Sequence, residues 1–504
     1  MDTTYYSSPS APLLTKKSEN VNEEEKLISS SQSFAKDLWA ETKLIWYIAG
    51  PAILTSICQY SLATVTQTLL GHVGTYELAA FGMENLFVAG IGFGIMLGMG
   101  SALETLCGQA YGAGKLDMMG IYMQRSWIIL FSAGVLLSLV YVFAGQILRL
   151  LGQSPEIADL AGKFSIWMIP QLFAYALNFP IQKFLQAQSK VMVMAWISVA
   201  ALVLHGILSW VFIIKLEMGL VGAAITLNFS WWVMVLAQLI YILSGACKDT
   251  WSGFSWLAFT DLSGFVGLSC ASAVMLCLEY WYVMVLILLA GLLKNPEITV
   301  DAASICMNLE GWIYMIPLGF MAAVSVRVSN ELGAGNPRAV RFSVWVMTTM
   351  SVIIQAVFVI IIFATRKDFP AVFTENKLVM AEVSRVALFL CTSVFLCSIQ
   401  PVLSGYIYHF QGFALVHYGV AIGAGWQNLV AYINVACYYL LGFPIGALLG
   451  YKFNLGLPGL WGGIISGVGL QTIILVIVTL RTDWEKEASK IGSREDFYLG
   501  ILGW

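Results

Sequence analysis

The sequence predicts an all-α polytopic membrane protein, with twelve transmembrane helices in two pseudo-symmetric six-helix lobes. Three observations predict it. Of 504 residues, 59% are hydrophobic and 11% charged, where a soluble chain carries about 25% charged residues. Apolar runs of bilayer length, roughly 20 residues each, recur twelve times. The chain also repeats itself: SALETLCGQAYGAGK (Ser101 to Lys115) aligns with AAVSVRVSNELGAGN (Ala322 to Asn336) at an offset of 221. Each copy closes one apolar segment and precedes another. Many secondary transporters are built as two such bundles with the substrate path between them.

The elements follow in order. Residues 1–38 are polar, Ser-rich and mixed in charge, so they are expected to be a disordered tail. The tail lacks the continuous apolar core of a cleaved signal peptide. It holds PLL (Pro12 to Leu14) and EEEKLI (Glu23 to Ile28); the second fits the acidic di-leucine pattern that sorting adaptors read on cytosolic tails. The first lobe, 39–243, has spans near 44–70, 77–103, 120–147, 158–180, 190–214 and 219–243. A polar linker, 244–261, joins it to the second lobe, 262–480. The second six spans lie near 262–291, 301–325, 339–364, 381–404, 424–448 and 456–480, and a tail, 481–504, closes the chain.

Twelve spans place both termini on one side. With that side cytosolic, it holds 17 of the 26 basic residues, so the positive-inside rule favours cytosolic termini. No basic patch with interleaved aromatics points to nucleic acid. The nine cysteines are scattered, several within apolar runs, without CxxC or metal-ligand spacing; they read as small buried hydrophobes. Neither a metal site nor a cofactor is expected.

The repeat reaches beyond the Gly-Ala-Gly turns. At an offset of 220, Gly71 matches Gly291, and Gln59 stands opposite Glu279. Phe173 to Lys183 matches Phe395 to Gly405, and Phe184 to Val199 matches Val420 to Val435. Between those matches, Tyr406 to Gly419 has no counterpart. The stretch reads YIYHFQGFALVHYG and carries two of the four histidines, His409 and His417. It is either a genuine loop of a subfamily or an artefact of the gene model.

Several strings make the chain resemble the plant branch of the multidrug and toxic compound extrusion (MATE) transporters. They are SALETLCGQAYGAGK, PQLFAYALNFPIQKFLQAQSK (Pro170 to Lys190), SAVMLCLEYWY (Ser272 to Tyr282), SVRVSNELGAGNPR (Ser325 to Arg338) and GAGWQNLVAYINVACYYLLGFPIG (Gly423 to Gly446). The resemblance covers about Trp39 to Trp484, and within the branch the chain is most similar to vacuolar flavonoid-type carriers. It implies two six-helix lobes forming a V around a central cavity, and alternating-access antiport of organic solutes driven by protons. The energy source is then the proton gradient and the expected assembly a monomer in the vacuolar membrane. A plasma-membrane exporter of citrate, hormones or alkaloids is the alternative with the same fold.

Ionisable groups within the bilayer are costly and are functional candidates by default. Glu279 falls mid-way along the seventh span, with Tyr282 one turn on along the same face. A carboxyl there can hold a proton and release it when water enters. The resemblance agrees, because plant MATE proteins carry an essential glutamate at this place; a merely paired, structural glutamate is the plainer alternative. Glu310, in the eighth span, can share a cavity with Glu279. Asp301 reads as a helix cap or a functional acid, Glu84 as a further candidate, and Glu104, beside the first turn, as structural. Many relatives place a second acid in the tenth span; here that position is Cys397, with Gln400 nearby. Prokaryotic members often have an aspartate where this chain has Thr66. Coupling is therefore expected in the second lobe.

Gln59, Tyr60, Asn178, Asn308 and Gln400 can supply neutral hydrogen bonds to a polyhydroxylated solute, although each alone is more often a tie between helices. Tyr282, Trp281 and Trp312 can stack on planar rings. The glycine turns are expected to hold tight corners; no Gly-Lys-Ser/Thr follows to make a phosphate loop. A membrane-embedded enzyme is disfavoured, since His72 and His205 stand alone in the sequence and Glu279 lies deep in a span. A passive channel would need a filter motif, and none is found.

Overall fold

A computed structural model describes residues 23–260, 262–290, 293, 296–374, 376–399 and 427–481. Twelve helices among them are long and apolar enough to cross a membrane. They are α1 (Glu23–Leu70), α2 (Thr75–Gly112), α3 (Leu116–Val142), α4 (Pro155–Ala187), α5 (Val191–Lys215), α6 (Gly219–Ala246), α7 (Leu262–Ala290), α8 (Pro296–Gly333), α9 (Pro337–Thr365), α10 (Lys377–Ile399), α11 (Asn428–Lys452) and α12 (Leu457–Arg481). The protein is integral to the membrane.

Local chemistry sets several ends. Ser154 caps α4, its Oγ accepting from the Ile157 N–H at 3.5 Å, with Pro155 in the first turn where no N–H is needed. Pro337 opens α9 in the same way. Gly114 and Gly335 have φ of 74° and 72°, so the second glycine of each Gly-Ala-Gly turn supplies the left-handed residue.

Packing repeats as the sequence does. In the first lobe α1 packs on α5, α2 on α3 and α4, α4 on α6, and α5 on α6. In the second lobe α7 packs on α11, α8 on α9 and α10, α10 on α12, and α11 on α12. The π-turn at Trp210–Lys215 in α5 has a counterpart at Leu448–Lys452 in α11. The lobes meet through α1 against α8, α7 against α2, and α2 against α8.

Two expectations need correction. Residues 23–38, expected to be disordered, lie within α1. Once a helix is nucleated each further residue adds a bond, and Phe34 docks edge-on against Phe342 and obliquely on Trp345 of α9, with ring centroids 6.2 and 6.1 Å apart. Asp301 is not a cap: α8 begins five residues earlier, at Pro296, and Asp301 is an exposed position inside it. The linker is fastened to the first lobe. Gln124 of α3 donates to the Gly253 carbonyl at 3.0 Å and accepts from the Ser255 N–H at 2.8 Å. Pro12 to Leu14, Gln400, Tyr406 to Gly419 and the 482–504 tail lie outside the described residues.

Candidate functional site

The two turns meet each other. A Cβ on Gly112 would sit 1.9 Å from the carbonyl oxygen of Asn330, and one on Gly333 would sit 2.2 Å from the carbonyl oxygen of Gln109. Gln109 and Asn330, like Gly112 and Gly333, are repeat equivalents at the offset of 221. Each lobe therefore lends a glycine to the other's backbone across a pseudo-two-fold axis. The first glycine of each turn serves close approach and the last serves the corner, a division of labour that the sequence does not reveal.

The same face is tied by charge. Glu41 of α1, 5% exposed, accepts from Arg327 Nε and Nη2 of α8, both at 3.3 Å, and from Ser343 Oγ of α9 at 2.5 Å. Arg327 also pairs with Glu331 at 2.7 Å. Further along α1, a Cβ on Gly319 would meet the Ile53 backbone N at 2.7 Å, so the α1 and α8 backbones nearly touch. Beyond that, Tyr60 stands edge-on to Trp312, with centroids 5.4 Å apart.

Glu310 of α8 follows immediately. Its Oε1 accepts from Ser393 Oγ, and from Cys397 Sγ at 3.8 Å. Ser393 and Cys397 are one turn apart on α10, so one helix face presents both donors. Cys397 interacts electrostatically with Glu310 and with Glu279. Ser393 was not singled out in the sequence; its spacing of four from Cys397 was the available signal.

Other candidates divide. Gln59 is half-buried on α1, beside Tyr60, and its Nε2 finds no hydrogen-bond partner among the described residues. Asn308 is exposed and donates to the Ser304 carbonyl at 3.0 Å. Trp281 and Trp312 are each 38% exposed. Tyr282 is packed within the second lobe, its ring stacked on Tyr438 with centroids 4.5 Å apart, and its hydroxyl donates to the Gly463 carbonyl at 3.1 Å. Gly442 and Gly467 close around that hydroxyl, so both its apolar face and its polar tip are used in packing.

In the first lobe His205 is not alone. Its Nε2 lies 3.0 Å from Thr66 Oγ1 and 3.1 Å from the Leu62 carbonyl, and its Nδ1 lies 2.9 Å from Ser230 Oγ. The imidazole thus ties α1, α5 and α6. Glu104 is fully buried and pairs with Lys183 of α4 at 2.7 Å, and Asn178 accepts from Gln238 of α6 at 3.0 Å. Glu84 is buried within α2. Among the described residues no three His, Cys, Asp or Glu side chains cluster closely enough to hold a metal ion.

The arrangement combines a hydrogen-bonded carboxyl at Glu310, a Gln59 amide nitrogen without a partner among the described residues, and a face closed by the repeat. A family model described as MatE matches residues 51–211 and 271–409. Protein DETOXIFICATION 33 of Arabidopsis thaliana is 56% identical over 466 residues, which cover 92% of this chain and 93% of that protein. Protein DETOXIFICATION 32 of the same plant is 53% identical over 467 residues, 93% of this chain and 88% of its own. Among solved structures, the eukaryotic MATE transporter AtDTX14 superposes with a TM-score of 0.85 at 35% identity, over 91% of this chain and 99% of that one. An outward-facing multidrug resistance MATE family transporter of the MOP superfamily gives 0.76 at 16% identity, over 90% and 97%, which is a likeness of fold alone.

Proposed function

The chain belongs to the MATE family of membrane transporters, and on that premise we propose that it is a proton-coupled antiporter of organic solutes working by alternating access. The observation that carries the reading is the Glu310 carboxyl of α8 held by Ser393 and Cys397 of α10, with Glu279 of α7 acting electrostatically on the same Cys397. Two carboxyls that share a site bind and release protons as a coupled pair. When they are ionised they attract the hydroxyl or cationic groups of a solute. When a proton arrives from the acidic side, that attraction weakens and the solute leaves. One site thus serves proton and solute in turn, which is what antiport requires.

Solute contacts are assigned to Gln59, Asn308 and Glu310, with Tyr60 and Trp312 offering ring faces and edges, and to Gln400. Neutral amides and aromatic surfaces suit flat polyhydroxylated rings, which supports flavonoid glycosides or related secondary metabolites as substrates. The vacuolar membrane as the site of action rests on the sequence resemblance and on the Glu23 to Ile28 string. With the glycine-turn face closed, a solute reaches the acids from the opposite face. The reciprocal contacts of Gly112 and Gly333 part when access alternates.

The test is uptake by membrane vesicles under a proton gradient, against a panel of flavonoid glycosides, alkaloids and citrate. Glu279→Gln is expected to abolish gradient-driven uptake at unchanged protein level. Normal uptake by that variant would sink the coupling role. A fluorescent tag on the chain in plant cells separates the vacuolar from the plasma membrane.

A further inference from the structure

The first lobe contains a carboxyl that the proposed coupling does not use. Glu84 is 1% exposed, and its Oε1 has no hydrogen-bond partner among the described residues. It begins a π-turn, Glu84–Val88, within α2. Such turns often mark functional positions, because one helical bond is displaced and can be regained by a shift of register.

Among the described residues, the carboxyl faces phenols and pairs with no cation. Tyr141 of α3 and Tyr175 of α4, 2% and 6% exposed, are the titratable groups that interact with it electrostatically. Tyr141 is seated against α2 by a missing side chain: a Cβ on Gly92 would lie 2.6 Å from its hydroxyl oxygen. Gln171 Nε2 donates to the Tyr175 hydroxyl at 2.6 Å. The buried basic groups of this lobe are engaged elsewhere. Lys183 pairs with Glu104, and Arg125 donates to the Leu257 carbonyl at 3.2 Å.

An ionised carboxylate left without a cation in such an interior costs several kcal/mol, whereas a neutral acid costs far less. We infer that Glu84 is a proton-binding site inside the first lobe, with its carboxyl protonated in this conformation and released to water when the α2–α3–α4 interior opens. The ligand is the proton itself. The site lies on α2, the helix whose far end carries Gly112 and the contact with Asn330. Movement that parts the lobes therefore acts on the helix that buries Glu84. Protonation of Glu84 stands on its own; its participation in transport rests on the proton-coupled reading above.

The experiment uses the full-length protein in liposomes. Infrared difference spectra are recorded as the pH is raised from acid to alkaline, for wild type, Glu84→Gln, Glu279→Gln and Glu310→Gln. Wild type should show a protonated-carboxyl carbonyl band at neutral pH that is lost in Glu84→Gln and retained in the other two. An unchanged band in Glu84→Gln overturns the inference. Thermal unfolding adds a second readout. A group that is protonated in the fold and ionised in the unfolded chain binds more protons when folded, so stability falls as pH rises. The alkaline fall should be lost in Glu84→Gln, which mimics the neutral acid, and kept in Glu279→Gln. If Glu84→Gln fails to insert, Glu84→Asp takes its place: a shifted band supports the site, and an unshifted one overturns it. Should Glu279→Gln transport normally while the Glu84 band behaves as expected, the coupling assignment fails and this site stands.

Discussion

Lys183 and Glu104 form an ion pair with side chains 8% and 1% exposed, so removing one partner strands a charge in the first lobe. Lys183→Met is expected to destabilise the protein by about 3–5 kcal/mol, whereas the double replacement Glu104→Met with Lys183→Met recovers most of that loss. Thermal unfolding in detergent measures both. Tyr282 makes a different prediction. Tyr282→Phe keeps the ring stacked on Tyr438 and deletes one hydrogen bond, to Gly463, at about 1 kcal/mol. Solute affinity should be unchanged, and a weakened Kd at constant fold would return Tyr282 to the binding site. The residue patterns alone did not distinguish these roles. Tyr282 and Glu104 are both polar groups in apolar runs, and only their neighbours separate a packing ring from an ion pair.

The glycine-turn contacts belong to elements rather than to residues. Gly112 and Gly333 let α2 and α8 approach with backbone against backbone, so Gly112→Val or Gly333→Val pushes the lobes apart on that face. Overpacking of this kind costs about 1–3 kcal/mol, which corresponds to a 5- to 150-fold shift between conformations. Both variants should lose uptake in that range while remaining in the membrane. Because the contacts are reciprocal, the two should behave alike. The N-terminal part of α1 adds a second tie on this face through Phe34 and Glu41. The helicity of residues 23–38 was not legible in a polar, Ser-rich composition, since the partners of Phe34, Phe342 and Trp345, lie roughly 300 residues away in sequence. The turns themselves were legible as turns, because glycine at a positive φ has a local cause.

At the scale of the whole molecule, two copies of one six-helix unit face each other and differ in charge. Gln59 stands opposite Glu279 in the repeat, and Glu279 and Glu310 both lie in the second lobe, where each acts electrostatically on Cys397. The first lobe answers with His205 on Thr66 and with the buried Glu84. If each lobe holds its own proton site, the pH profile of uptake should change in Glu84→Gln without the abolition expected for Glu279→Gln. Proton-driven vesicle uptake across a pH series checks this.

The sequence by itself determined that the chain is a twelve-span helical membrane protein of two related halves. Hydropathy and internal repetition are properties of composition and order, and the bilayer converts them directly into spans. It also placed Glu84, Glu279 and Glu310 within apolar spans. Only the tertiary structure decided which of those groups meet. Cys397 against Glu310, Tyr282 closed inside its lobe, Gly112 against Asn330 and Thr66 against His205 are contacts between distant segments. They depend on how helices of nearly uniform apolarity rotate about their axes, and in such helices periodicity carries little information about which face turns inward.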